Sequence, residues 1–285
     1  MPRPIKEVTL AALPTLVTLG NAFCGLLAIT YVLEATLSLG VGQGVSQGTG
    51  AAAVSPEARA QFFEYLERAV LCNLMAMVFD FLDGKVARLT GQASEFGVQV
   101  DSLSDVISFG LVPAVMFKTL AHHEFGLKPK LSLILASFHL IGALLRLARF
   151  NVEADLENDD HRSFKGLPSP AAAAGVGSMI YLYIHAQRDY PALVPWISAS
   201  FPYVIAMLGI LMWTKLPYVH FANVVLTETK SLAHFLIIVV LVLAVAYAPP
   251  IGIAVTMLAY ALSGPILYIW DLSTGKRTVD GESLL

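Results

Sequence analysis

Asp80, Asp83, Asp101 and Asp105 fall within the stretch DFLDGKVARLTGQASEFGVQVDSLSD, between segments apolar enough to lie in a bilayer. A carboxylate in hydrocarbon is expensive unless something compensates its charge. Several acids brought close together also repel one another. Hard divalent cations relieve both problems, because they prefer carboxylate oxygen. The four residues therefore predict a metal site at a membrane surface.

A helix turns by about 100° per residue. On that geometry Asp80, Asp83, Gly84, Ala87 and Arg88 share one face. The two acids can hold metal, the two small residues let a flat group approach the backbone, and Arg88 can meet an anion. Asp101 and Asp105 stand at i and i+4, again on one face. Gly91 and Gly97 permit a tight connection between the two helices. Metals held by bridging carboxylates can clamp a diphosphate and stabilise the charge of phosphoryl transfer. Solvated acids at surface helix ends would be the plainer reading. That reading leaves four acids, an arginine and two small residues on matching faces as coincidence.

The elements that carry these residues are membrane helices. Hydrophobic residues make up 56% of the 285 and charged residues 14%, against about a quarter charged in a soluble domain. The predicted fold is all-α: one polytopic membrane helix bundle of about eight transmembrane helices. A span needs about 20 mostly apolar residues. Candidates lie at roughly 13–39, 62–89, 98–121, 131–152, 170–186, 193–213, 232–247 and 250–270. The first is read as a retained span rather than a signal peptide. Residues 40–56 read as a flexible Gly/Ser/Ala-rich loop, 153–165 as a polar acidic connection, and the tail from Asp271 as poorly ordered.

With the N-terminus in the cytoplasm, twelve of the 18 Lys and Arg residues fall on the cytoplasmic side. That bias predicts cytoplasmic termini and puts the aspartate ends of spans two and three on the same face. Cys24 and Cys72 lie in apolar segments and read as buried thiols, not a disulfide framework. The net charge of −3 and the absence of a basic cluster give no sign of a nucleic-acid partner.

The order Asp80-x2-Asp83-Gly84-x2-Ala87-Arg88-x8-Gly97-x3-Asp101-x3-Asp105 resembles the signature of the CDP-alcohol phosphatidyltransferase family at every fixed position. The resemblance implies a six-helix membrane core with two divalent ions, Mg²⁺ or Mn²⁺. It also implies cleavage of a CDP-linked lipid with release of CMP. The catalytic core would cover about 10–215 of a single 1–285 membrane domain, with two further helices at about 230–271. Asp80, Asp83, Asp101 and Asp105 would be metal ligands, and Asp105 also the general base. Gly84, Ala87, Arg88 and Gly97 would lie along the cytidine diphosphate. The segment LPTLVTLGN is also similar to family members. Its Thr18 and Asn21 could reach the nucleotide or hydrogen-bond within the bundle. A homodimer among membrane lipids is part of what the family implies.

LLRLARFNVE and FKGLPSPAAA, with LPTLVTLGNAFCG, resemble the serine-using branch of the family in bacteria and archaea. The likeness implies CDP-diacylglycerol as donor and L-serine as acceptor. Arg146 and Arg149 stand at i and i+3 on the fourth span. Arginine there needs a cavity or a partner, and its planar fork suits a carboxylate. They could meet serine, pair with the aspartates or snorkel to the interface. Lys165 could be an acceptor ligand or an ordinary loop charge. Gly166, Pro168 and Pro170 would shape the entry to the fifth span. Glycerol 3-phosphate, inositol phosphate or choline are the other acceptors this chemistry admits. A divalent-cation transporter would need polar residues through the depth of several helices, whereas these acids cluster at one end of two.

Overall fold

A computed structural model describes residues 5–44, 54–90, 95–156, 166–218 and 245–274. The expected joint at Gly91, Lys165, and most of the 40–56 loop, the seventh span and the C-terminal tail lie outside them. The described residues are helical, with no β-strand among them. In order they are α1 (Ile5–Gly44), α2 (Pro56–Thr90), α3 (Glu95–Asp105), a π-helix (Val106–Leu111), α4 (Val112–His123), α5 (Pro129–Leu156), α6 (Ser169–Asp189), a short 3₁₀ turn, α7 (Val194–Trp213) and α8 (Pro249–Ser273).

Among the described residues, five stretches are long and apolar enough to cross a membrane: Pro14–Gly40, Glu95–His123, Pro129–Val152, Pro191–Trp213 and Pro249–Ser273. The third predicted span is thus one rod made of α3, the π-helix and α4. Helices α2 and α6 are long enough but less apolar. The first carries acids and bases along its length, and the second is built largely of Ala, Gly and aromatic residues ending in His185 and Gln187. Helix α1 runs four residues further than its apolar run, to Gly44, and α5 continues into the polar segment as far as Leu156. Leu16, Leu19, Phe23, Leu26, Leu33 and Leu37 stand exposed along α1. In water such a stripe would be a large apolar patch; against lipid it is an ordinary helix surface.

The chain divides into two compact units, Met1–Leu140 and Ile141–Leu285. In the first unit α1 is the common partner. It packs against α2, α3, the π-helix and α4. Lipid is as apolar as a leucine side chain, so close packing rather than water exclusion holds such helices together. Small residues set the contacts. A Cβ on Gly20 would come within 2.9 Å of Phe79 on α2, and one on Gly25 within 2.6 Å of the Ser108 hydroxyl in the π-helix. The N-terminal end of α2 is tied to the end of α4 by Arg59, whose Nη2 meets Glu124 Oε2 at 2.5 Å and whose Nε meets Oε1 at 3.2 Å.

In the second unit α6 packs against α7 and α8. Its entry follows the sequence expectation. Gly166 has φ +94°, and its N–H donates to Leu216 O at 2.8 Å, while Leu167 N–H donates to Leu211 O at 3.1 Å. Pro168 caps the helix and Pro170 occupies its first turn. Tyr218 donates to Ala261 O on α8 at 2.8 Å, with Gly264 leaving room for its ring. Gly142 on α5 is the tightest contact: a Cβ there would lie 2.2 Å from Gly209 O on α7. Backbone cannot move aside as a side chain can. Gly142→Val is therefore expected to destabilise by about 1–3 kcal/mol or more, read as a lower midpoint of thermal unfolding in detergent. Gly40→Ala, where a Cβ meets nothing within 4 Å, should leave that midpoint unchanged.

Candidate active site

The acids converge in the first unit. Asp80 near the end of α2 and Asp101 and Asp105 on α3 each present a carboxylate oxygen within 4.8 Å of the others, a group that could hold a metal ion. Asp83, one turn beyond Asp80, is buried at 5% exposure. The i, i+4 spacing on α3 and the i, i+3 spacing on α2 give each helix one acidic face.

Helix α1 supplies the polar floor. Asn21, fully buried, donates from Nδ2 to Asp105 Oδ1 at 3.1 Å. The buried Thr18 hydroxyl reaches both Pro14 O, at 3.1 Å, and the Asp83 carboxylate. It has one proton for two acceptors, so Asp83 gains at most part of a hydrogen bond from it. The backbone N–H of Gly84 also serves Asp83.

These donors do not satisfy the cluster. Asp83 Oδ2 and Asp101 Oδ1 are buried without a hydrogen-bond partner. A buried acceptor left unpaired costs roughly 1–3 kcal/mol, and more when charged. Unspent carboxylate oxygens next to like charges are the donor set a hard divalent cation takes. The residues present therefore fit a metal.

Beside the acids lies open surface. A Cβ on Gly84 would meet nothing within 4 Å. Ala87 and Gly97 are half-buried. Arg88 is in α2, with its side chain outside the described ones. Gly84 and Ala87 share the Asp80 face of α2, and the space over Gly84 is open.

The acceptor candidates belong to the second unit. Arg146 donates from Nη1 to the buried Ser169 hydroxyl at 2.6 Å. Arg149, one turn on, keeps Nη1 buried with no hydrogen-bond partner. Ser169 was not singled out in the sequence, and neither were Asn73, Ser108 and His139 around the π-helix. For Asn73, Ser108 and His139 the available signal was a polar residue inside an apolar span; Ser169, the first residue of α6, carried none.

The CDP-alcohol phosphatidyltransferase family model matches residues 11–210, which include all of these acids and both arginines. The chain belongs to that family. Among its relatives, the CDP-diacylglycerol–serine O-phosphatidyltransferase of Helicobacter pylori is 31% identical over 195 residues, covering 68% of this chain and 77% of the relative. The enzyme of the same name from Methanocaldococcus jannaschii is 32% identical over 195 residues, 68% of this chain and 81% of the relative. The archaetidylserine synthase of Methanothermobacter thermautotrophicus is 28% identical over 215 residues, 75% and 72% of the two chains. In this phosphatidyltransferase, 11–210 begins inside α1 and ends inside α7, so α8 lies beyond the shared family region.

Like-charge repulsion yields a signed test. Mg²⁺ or Mn²⁺ should raise the thermal midpoint and EDTA should lower it. At a hundred times its Kd the ion adds about 2.7 kcal/mol to stability. Asp101→Asn, which removes one of the repelling charges, should raise the midpoint of metal-free protein and abolish most of the ion-dependent rise. An Asp101→Asn protein that responds to the ion like the parent would place the cation elsewhere.

Proposed function

We propose that the protein is a phosphatidylserine synthase: it transfers the phosphatidyl group of CDP-diacylglycerol to the hydroxyl of L-serine and releases CMP. The observation that carries this reading is the convergence of the signature aspartates, with unspent buried oxygens, beside an open small-residue face. The serine-transferase relatives support the choice of acceptor.

Asp80, Asp83, Asp101 and Asp105 are assigned to hold two divalent ions, Mg²⁺ or Mn²⁺. When bound, the ions neutralise the diphosphate and the charge that develops on its oxygens. Gly84, Ala87 and Gly97 give the cytidine diphosphate room against the backbone, and Arg88 meets its phosphate charge. Thr18 and Asn21 line the floor of this nucleotide site, where Asn21 orients Asp105. Asp105 takes the proton of the serine hydroxyl. The serine oxygen then forms a bond to the phosphorus that carries diacylglycerol, and the bond from that phosphorus to the CMP oxygen breaks. Water exclusion favours serine over hydrolysis in such a site.

Serine differs from a simple alcohol by its carboxylate and ammonium. Arg149 has a buried donor to spend, and Arg146 is fixed by Ser169, so we assign the serine carboxylate to these two, with Lys165 as a further acceptor contact. The protein is read as a single multi-pass membrane domain, 1–285, with a core at about 10–215 and added helices at about 230–271. Both termini and the site face the cytoplasm, the lipid tails stay in the bilayer, and the enzyme works as a homodimer.

Purified protein supplied with CDP-diacylglycerol, metal and a panel of alcohols tests the reading. Phosphatidylserine should dominate; phosphatidylglycerophosphate as main product would defeat the acceptor assignment. Serinol and ethanolamine lack the carboxylate and should be at least about tenfold poorer, because a charge-assisted hydrogen bond is worth roughly 1.5–3 kcal/mol. Arg149→Lys should raise the KM for serine, since a point charge does not reproduce the fork, and should change CMP affinity much less. Asp105→Asn keeps the size of the side chain but removes the proton acceptor. It should lose about a hundredfold or more in turnover while still binding CDP-diacylglycerol. Near-parental turnover in Asp105→Asn would move the base to another residue.

A further inference from the structure

The rod that carries Asp101 and Asp105 changes its winding immediately after Asp105. Residues Val106–Leu111 form a π-helix, and Val112 N–H reaches back five residues to Ile107 O. In an α-helix that N–H would have served Ser108 O, four residues back. The next donor in line, for Phe109 O, would come from residue 113, which is proline and has no N–H. Ser108 O thus loses its α-register donor to Ile107 O and finds a proline at the π-register position, while Phe109 O lacks its α-register donor; both carbonyls lie deep in the bundle.

Each carbonyl is met by a buried side chain from a different helix. Asn73 on α2 donates from Nδ2 to Ser108 O at 2.5 Å. His139 on α5 approaches Phe109 O with Nε2 at 3.0 Å. A carbonyl only accepts, so the His139 proton sits on Nε2. Both side chains are at most 1% exposed. The turn is then joined to the aspartates through α1. The Ser108 hydroxyl donates to Asn21 O at 3.1 Å, and the Asn21 amide donates to Asp105 Oδ1. Gly25 leaves the space for Ser108.

We propose that Asn73 and His139 are positioning residues for Asp105: they hold the π turn open, and the open turn sets the rotation at which Asp105 meets Asn21. Neither side chain touches substrate. The inference rests on the reading of Asp105 as general base. A π-helix commonly appears as a single turn at a functional site, and here it is followed at once by Pro113, which has no N–H to offer, and is met by side chains from two other helices.

The test compares His139→Leu, Asn73→Leu and His139→Gln in detergent-solubilised full-length protein, with rates normalised to CMP-binding sites. The leucine variants should lose at least about tenfold in kcat, with KM for CDP-diacylglycerol within about threefold, the pattern of an interaction needed in the transition state. His139→Gln keeps a donor for Phe109 O and should recover most of the rate. A residue that only supports the fold would lower the number of binding sites and leave kcat per site unchanged. That result, in both leucine variants, overturns the proposal. If His139→Leu does not fold, Pro113→Ala added to it gives Phe109 O a backbone donor. The double variant should fold, bind CMP and still turn over at least about tenfold slowly, because the helix closes into α register. Recovery of kcat together with folding would show that His139 acts on stability alone. Asp105→Asn run alongside separates the two readings. An inactive Asp105→Asn beside fully active leucine variants overturns only the positioning role. An active Asp105→Asn overturns the base assignment and the inference with it.

Discussion

Carboxylates crowded at the end of membrane helices dominate this molecule. Asp80, Asp101 and Asp105 have oxygens within 4.8 Å of one another, and Asp83 adds a fourth acid from the same face of α2. Nothing about that arrangement is stable by itself. Desolvation and mutual repulsion both oppose it. The surrounding structure holds it together through geometry: α1 packs against α2, α3, the π-helix and α4, and its glycines let α2 and the π-helix come close. The acids are placed by the packing of neutral helices and are left electrically incomplete. Incompleteness of that kind is what a hard divalent cation could fill.

The second unit follows another logic. Helix α6 opens on a run of alanines followed by Gly175 and Gly177 and carries no acid before its last residue. Its role is to pack closely against α7 and α8 and to present Ser169 at its first turn. The glycine–proline entry bonds back to the end of α7 through Gly166 and Leu167, so Ser169 sits on a fixed corner. A guanidinium held by such a hydroxyl keeps a defined orientation, which matters more for recognising a carboxylate than charge alone.

Much of this was legible in the chain. Helical phase alone grouped Asp80 with Asp83 and Asp101 with Asp105, because rotation per residue is a local property of the backbone. Apolar runs located five of the expected spans among the described residues, while α2 and α6 are helical there but less apolar. What periodicity could not convey was contact between helices. Asn21 had two open readings, nucleotide or bundle, and its bond to Asp105 depends on a residue 84 positions away. Asn73 and His139 are polar residues in otherwise apolar stretches, with nothing in their spacing to set them apart. Their partners are backbone carbonyls, which leave no mark in a sequence. Pro113 was visible, but the loss of a donor at Phe109 becomes informative only once the winding of the preceding turn is known. Helix limits were less legible than span limits: α1 begins at Ile5 and α2 at Pro56, eight and six residues before the expected spans, and the last turns of α1 and α5 continue into polar sequence where no apolar pattern reports them.

A π turn is an α-helix that contains one residue more than its hydrogen bonds need. That surplus acts as a phase adjuster within a single rod. Upstream, Asp101 and Asp105 answer to the geometry of the acidic cluster they share with Asp80. Downstream, Val112, Met116, Phe117 and Leu120 answer to the packing of the bundle, where all are fully buried. An unbroken α-helix would lock the two faces together, and a change that improved one would turn the other by about 100° per residue inserted or removed. With the turn between them, the packing half can drift in sequence while the chemical half keeps its bearing, so the two ends of one span are free to evolve under separate constraints.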